Sequence, residues 1–475
     1  MRRHPPFLDI EMEIHTGNIP EGRAGTVAAV HIADVMRGYG FGKDTVFTVF
    51  AGNGGNGRDG IEAASVFSSK GFRCEVVRLE DAGAYLEAHS GRKAGHEEIY
   101  IDALLGADEY ADFKGAAHAL AGYINASGAF VISLGIPSGM PPEPFDETAA
   151  PDDMVRADVT VAIDFPKLSM LLPRYGNNAG RIVTAVSETC CRKSSGKYFY
   201  VDNDAYNETV SLEPCLGRPK KFAHKGDNGH LLVVCGCKGM TGAAVLATKA
   251  ALRSGCGIVT SHLPESERAI MHVSCPSAIV SLDDGDCFTM LPDDMDKYTA
   301  VCTGCGLGKD RRTVKALASL LACGKPTVID ADALNLISAF PELKSLVPAG
   351  SVLTPHLGEL RRLTGGWKGE EEKLEKAAAL AASLSSVVVV KGAHTMTVSP
   401  DGRAFFNSTG TPGMAKGGCG DVLAGYIGGL LARGCSPLSA AIVGVYRHGA
   451  AGERAEAVFG SEAMNSSDVV SFLKS

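Results

Sequence analysis

The 475-residue chain lacks any excess of positive charge: 46 Lys and Arg stand against 54 Asp and Glu, a formal net charge of -8. Bulk attraction to polyanions is therefore not available. Neither nucleic acid nor an anionic membrane is an expected partner, and a phosphorylated ligand needs a locally built site. Long apolar runs are missing as well. No stretch approaches the roughly eighteen residues of a membrane span, and residues 1–13 carry charges where a secretion signal needs an apolar core. A cytoplasmic protein is expected. A G-x-x-x-x-G-K-[ST] loop is also absent, which argues against a P-loop nucleotide site. The 14 cysteines include Cys302-Thr-Gly-Cys305 and, upstream, Cys235-Gly-Cys237, but no second properly spaced pair and no His partner. Reduced thiols acting as small buried hydrophobes are the expectation, rather than disulfides, metal ligands or redox groups.

What is present fits a soluble globular protein, 45% hydrophobic and 21% charged, and long enough for two domains. One stretch organises the second half. Residues 407–425 read NSTGTPGMAKGGCGDVLAG, a glycine-rich loop ahead of an apolar run at 422–431 that looks helical and stops at Gly434 and Pro437. Backbone N–H groups and the positive end of a helix dipole converge at such a place, which makes it an anion hole. Asp421 stands at its mouth, either as the helix cap or as a base for a hydroxyl that attacks a phosphoryl group.

In the first half, residues 45–50 (TVFTVF) suit a strand. A glycine loop at 51–60, a helix at 61–70 and a strand at 74–79 follow, a βαβ unit that places the loop at the carboxyl edge of a parallel sheet. Asp102 lies in the apolar strand 99–104, where a carboxylate needs the strand's end, a cation or hydrogen-bond donors. The strand 130–134 runs into Gly135-Ile-Pro-Ser-Gly139, and strands at 158–163 and 181–186 complete an open α/β sandwich.

These residues resemble the YjeF N-terminal family, the NAD(P)H-hydrate epimerases, over residues 45–186. The match comprises the glycine loop (Gly52, Gly54, Asn56, Gly57, Asp59, Gly60), D-A-L-x-G at residues 102–106 and I-P-S-G at 136–139. The resemblance implies that Asn56, Asp102 and Ser138 hold K+ and that Gly55, Asn56, Gly57 and Asp59 bind the substrate's dinucleotide. Departures are Gly55 for an Asn, Arg58 for a Gly, and Gly135 for the Asp before I-P-S-G. The family's N-terminal helix with its M-E-x-A-G pattern is not recognisable.

Residues 188–225 show no sustained period and read as a junction, with the boundary at Asp204, giving domains 1–204 and 205–475. An α/β pattern restarts at 231–235, with an alanine-rich helix at 243–253. Strands at 327–329, 351–353 and 387–390 end in polar clusters: Asp330, Asp332 and Asn335, then Thr354-Pro-His-Leu-Gly-Glu359, then Lys391-Gly-Ala-His-Thr395. One cleft along the sheet's carboxyl edge is implied. This half is similar to the ribokinase-like superfamily and, within it, to the NAD(P)H-hydrate dehydratases. The shared motifs, in order, are H-K-G-D-x-G (224–229), G-M-T-G-A-A (239–244), G-x-G-L-G (304–308), D-A-D-A-L-N (330–335), T-P-H-x-G-E (354–359), K-G-A-x-T (391–395) and G-G-x-G-D (417–421). Cys305 replaces a Pro, Lys416 a Thr and Cys419 a Thr.

The two resemblances imply two three-layer αβα domains, Rossmann-like then ribokinase-like, that together repair hydrated nicotinamide cofactors, NADHX and NADPHX. Asp421 would deprotonate the hydrate's hydroxyl for phosphorylation by ADP or ATP with Mg2+, and the ester would then be eliminated. His356 is a general acid or a substrate-orienting group. The hydrate is expected near Ala243, Gly306, His356 and Asp421, and the nucleotide near Lys391, Gly392, Ala393, His394, Thr395, Gly417, Gly418 and Gly420. A homo-oligomer is expected. The rival reading is a small-molecule kinase of the same fold with a non-catalytic N-terminal module.

Overall fold

Runs rich in Val, Ile and aromatics become the strands of two sheets in the computed structural model, which describes residues 8–9, 24–145, 149–186, 196–218 and 221–474. The chain divides into one unit running through Tyr198, to which Gly369–Glu371 is also assigned, and another comprising Phe199–Lys368 and Glu372–Ser475. In the first, six parallel strands lie in the order Arg73–Arg78, Val46–Ala51, Glu98–Ala103, Phe130–Leu134, Val159–Ile163, Arg181–Ala185. Alternate residues of one strand feed opposite cores. Phe47, Val49, Ile99 and Ile101 pack with Ile32 of the helix Ala24–Gly38 and Phe67 of the helix Gly55–Ser69. Phe50 and Tyr100 pack with Leu120 and Ile124 of Ala116–Ser127. Helices therefore cover both faces, as an all-parallel sheet requires.

Two expectations change here. The helix after the first strand begins at Gly55 rather than at residue 61, so half of the expected loop is its first turns. Glycine's poor helix propensity is overridden by crowding: a Cβ at Gly57 would overlap the Gly52 backbone, and one at Gly60 would press on Ala103. A helix also precedes the sheet, Ala24–Gly38, although its family pattern is not legible.

Among the strands from Tyr198 onward, the order in the second sheet is Tyr198–Val201, Ala404–Asn407, Met396–Val398, Val387–Val390, Val352–Leu353, Thr327–Ile329, Ala300–Thr303, His230–Val234, Ile258–Pro264, Ile279–Asp283. The seven strands from Val387–Val390 onward are parallel, and Met396–Val398 and Ala404–Asn407 are antiparallel additions. The helix Cys419–Ala432 is buried along its whole length after Asp421. Glycines make that possible. Gly425 lies against the Ala247 backbone and Gly429 against Ser254, both from the region of the helix Thr241–Arg253.

The supposedly aperiodic junction contains the strand Tyr198–Val201 and the helix Asn203–Leu212, capped by Asp202 through the Ala205 N–H at 2.8 Å. Asp204 sits in that helix's first turn. Tyr206 of the same helix stacks on Tyr446 at 4.2 Å, and Arg447 donates to its hydroxyl at 2.8 Å. Tyr446 and Arg447 belong to the long helix Pro437–Phe459. Junction residues 187–195 and 219–220 lie outside the described residues.

Candidate active site at the carboxyl edge of the second sheet

Adjacent parallel strands deliver their following residues to one edge, and four of them build the site. Asp330 follows Thr327–Ile329, His356 and Glu359 follow Val352–Leu353, Lys391 follows Val387–Val390, and Cys305 follows Ala300–Thr303. The Lys391 N–H donates to the Pro355 carbonyl at 2.9 Å, and His356 pairs with Lys391 in a parallel bridge. Lys391 Nζ donates to Asp330 Oδ1 at 2.6 Å and lies 3.9 Å from Glu359 Oε2. Burial opposes the ammonium charge, yet the Asp330 pairing outweighs it and holds Lys391 above the usual lysine range.

Asp421 enters this group from the helix Cys419–Ala432. It is not the cap. Gly418 holds that position with φ 93°, a left-handed conformation suited to glycine, and the Asp421 carboxylate is left to face the site. Cys305 Sγ, Asp330 and Asp421 present ligand-type atoms all within 4.8 Å of one another, with Cys305 Sγ 3.8 Å from Asp330 Oδ2. Burial, followed by the charge of Asp330, pushes the Asp421 carboxyl up to about 6, while the Cys305 thiol and Lys391 pull it down. A carboxylate poised there can accept a proton near neutrality. Gly420 leaves the space open, since a Cβ there would sit 3.4 Å from Lys391 Nζ and 3.6 Å from Asp330 Oδ2.

The other expected residues divide. Ala243 and Gly306 are brought together: a Cβ at Gly306 would stand 2.9 Å from that of Ala243. The ring of His356 accepts the Gly358 N–H at Nδ1 (2.9 Å), so its proton is on Nε2, 3.4 Å from Glu359 Oε1. The loop from Lys391 is closed by Thr395, whose hydroxyl donates to the Gly392 carbonyl at 3.0 Å, and is tied to the next strand by His394 Nδ1 at 3.0 Å from the Asn407 carbonyl. Gly392 and Gly417 face open space. Asn335 is turned elsewhere and accepts from Arg362 Nη1 at 3.0 Å.

One neighbour escaped the sequence reading altogether. His448, in Pro437–Phe459, is 9% exposed, bonds to the Cys419 backbone and has no partner for Nε2 among the described residues. Burial lowers it to about 4. Because the folded state disfavours its protonation, stability is full above the unfolded value of about 6.5 and falls as the pH drops from there toward 4, by up to about 3 kcal/mol. Thermal melts should show that loss in the parent chain and a smaller one in His448→Gln; an unchanged pH dependence would remove His448 as its source.

At the carboxyl edge of the first sheet, Asp102 is fully buried and accepts from the Leu104 N–H (3.3 Å), the Ser133 hydroxyl (2.8 Å), and the N–H (2.9 Å) and hydroxyl (2.6 Å) of Ser138. All four donors are neutral. Burial raises its carboxyl, and these four hydrogen bonds work against that rise. Asn56 donates from Nδ2 to the Leu105 carbonyl at 3.1 Å, and the Leu105 N–H donates to Ser138 Oγ at 3.0 Å. Asn56 and Ser138 both bond to the Leu105 backbone and Ser138 bonds to Asp102, so the three are linked at one strand end. Asp59 does not join them; it bonds to the Gly25 N–H of the first helix, and burial raises it to about 6. Gly55 opens the helix and Gly57 is buried against Gly52. Glu109, which carries no motif, lies over the start of this helix: a Cβ on Gly54 would overlap its carboxylate, and it accepts the Gly106 N–H at 3.0 Å.

Comparison with known proteins adds lineage to this geometry. Residues 231–474 match the family model described as NAD(P)H-hydrate dehydratase, and residues 23–169 match that of the YjeF-related protein N-terminus. The chain is 32% identical to a bifunctional NAD(P)H-hydrate repair enzyme of Moorella thermoacetica, covering 90% of this chain and 86% of that protein. It is 38% identical to an ADP-dependent (S)-NAD(P)H-hydrate dehydratase of Neisseria meningitidis, over 49% of this chain and 78% of that one. A crystal structure of a ribokinase-like superfamily protein from Enterococcus faecalis superimposes with a TM-score of 0.51 at 25% identity, covering 58% of this chain and 94% of that one. With two family models in series and full-length relatives at this identity, the chain belongs to the bifunctional NAD(P)H-hydrate repair enzymes, an α/β protein with a YjeF-type N-terminal domain and a ribokinase-like dehydratase domain.

Proposed function

We propose that the second domain dehydrates the hydrates of NADH and NADPH with ADP, or ATP, as phosphoryl donor. The observation that carries this is the Asp421 carboxylate, raised to about 6 and facing the Lys391–Asp330 pair across a glycine opening. Asp421 takes the proton of the hydrate's hydroxyl as its oxygen attacks the terminal phosphorus. AMP (or ADP) leaves, and the N–H groups at the start of Cys419–Ala432 stabilise the charge on the transferring group. The ester then departs as inorganic phosphate with loss of a ring proton, which restores the dihydronicotinamide. His356 orients the hydrate through its Nε2–H, while the loop 391–395 and Gly417, Gly418 and Gly420 receive the nucleotide. Mg2+, when bound with the nucleotide, would screen the phosphates; Asp330 offers a carboxylate oxygen of the kind a hard cation takes, and the Cys305 thiol does not. Product analysis tests this reading. Hydrate plus ADP should give inorganic phosphate and dihydronicotinamide absorbance in equal amounts, whereas accumulation of a stable phosphate ester would make the domain a kinase.

For the first domain we propose a K+ site at Asn56, Asp102 and Ser138 on a weakened or inactive epimerase. Epimerisation needs a positioned proton acceptor and donor. Gly135 stands where the family's carboxylate is expected, and the Glu109 carboxylate lies over the helix start that would otherwise take the dinucleotide's phosphates. Of the groups left along that edge, Lys167, which burial lowers to about 7, can exchange a proton near neutrality. In full-length Asp421→Asn, with dehydration disabled, the epimer ratio of the hydrate should relax at the uncatalysed rate with or without K+. Acceleration well above that rate would overturn the proposal and point to Lys167. Gly135→Asp is the rescue to attempt. At φ 70° its backbone costs about 1 kcal/mol, and Asp tolerates that region better than most residues.

A further inference from the structure

Past the carboxyl end of the helix Cys419–Ala432, at the opposite end from Asp421, three groups with metal-binding chemistry converge. Glu213 ends the helix Asn203–Leu212 as its C-cap, Cys215 lies in the following turn Pro214–Leu216, and Cys435 lies in the connection between Cys419–Ala432 and Pro437–Phe459. Their ligand atoms all lie within 4.8 Å of one another, and Cys215 Sγ is 3.9 Å from Glu213 Oε2.

The cluster is built rather than incidental. Glu213 Oε1 is held by the Ser436 hydroxyl at 2.7 Å and the Ser436 N–H at 3.3 Å, which turns Oε2 toward the thiols. Arg433 donates through Nη2 to the Cys215 carbonyl and through Nη1 to the Ser254 carbonyl at 2.6 Å, fixing the turn that carries Cys215. Arg433 Nε is buried and has no partner among the described residues. Cys435 is 5% exposed, while Glu213 and Cys215 are half-buried and leave one side open to water.

We propose that Glu213, Cys215 and Cys435 bind a thiophilic divalent cation of the zinc type, with water as the fourth ligand. Two thiolates and a carboxylate are the soft and borderline donors that select such an ion over Mg2+. Charge closes as well: a divalent cation and the Arg433 guanidinium balance the three anionic ligands, so none is left buried and uncompensated. Disulfide formation is the competing chemistry for two adjacent thiols. A disulfide would leave Glu213 without a partner for Oε2, the atom that Cys215 Sγ faces at 3.9 Å. The ion would clamp the segment entering the second domain onto the start of Pro437–Phe459.

The test uses the full chain, reduced, stripped with chelator and titrated with Co2+. One equivalent should bind with a thiolate-to-cobalt charge-transfer band, and Zn2+ should displace it. The band should vanish in Cys215→Ser and in Cys435→Ser, and Glu213→Gln should weaken Co2+ binding about tenfold or more. Cys215→Ser and Glu213→Gln are half-exposed changes that keep the fold, checked by circular dichroism. No band in the parent chain would overturn the proposal, as would a band that survives Cys435→Ser, or loss of two titratable thiols on mild oxidation that Zn2+ does not prevent.

Discussion

Asp421→Asn should lower kcat for dehydration by about 10²–10⁴-fold while leaving hydrate and nucleotide affinities within about twofold, the signature of a lost general base. The structure sharpens this beyond a loss of activity. In the parent chain kcat/KM should fall below about pH 6, because the protonated form of Asp421, favoured by burial and by Asp330, cannot accept the hydroxyl proton. The residual activity of Asp421→Asn should lack that acid limb. Its stability near neutrality should be equal or higher, since one of two neighbouring buried carboxylates has been removed. Near-normal turnover would leave Asp421 as a mere first-turn acid at a helix start.

A second large effect is expected at Lys391. Its ammonium and Asp330 have side chains 21% and 2% exposed at 2.6 Å. Removing one partner of such a pair strands the other, at about 3–5 kcal/mol. Lys391→Met should therefore melt well below the parent chain near neutral pH. Asp330→Asn combined with Lys391→Met should recover part of the stability, a coupling that a double-mutant cycle reads directly. In turnover, the Michaelis constant for the nucleotide should rise more than that for the hydrate, because the loop 391–395 is the proposed nucleotide contact. Equal changes for both substrates would remove Lys391 from that role.

Strand ends were the legible part of this chain. Val387–Val390 and Phe130–Leu134 coincide with their runs in the sequence, and polar residues after strands do gather at one edge, because a parallel sheet sends every strand's carboxyl end the same way. Glycine misled at both helix starts. The helices begin at Gly55 and Cys419, inside stretches whose composition reads as loop: at the first Gly57 lies against the Gly52 backbone, and at the second Gly418 takes a left-handed φ of 93°. Charge pairing was illegible for a different reason. Lys391 and Asp330 are 61 residues apart and Cys215 and Cys435 are 220 apart, and no local pattern encodes which strand end faces which. The C-x-x-C at Cys302 and Cys305 drew notice, yet the thiol that matters to the site is Cys305 alone, through its contact with Asp330 and Asp421.

The strand Tyr198–Val201 beside Ala404–Asn407, and the helix Asn203–Leu212 behind it, decide where this protein can be cut. A recombinant dehydratase begun at the first clear motif, His224, would discard both elements. Phe405 and Phe406 would then lie on an unpaired strand edge, and Tyr446 would lose its stacking partner. Exposed apolar edges of that kind template pairing between chains, so such a fragment should precipitate or form inclusion bodies, whereas one begun a few residues before Tyr198 should stay in solution.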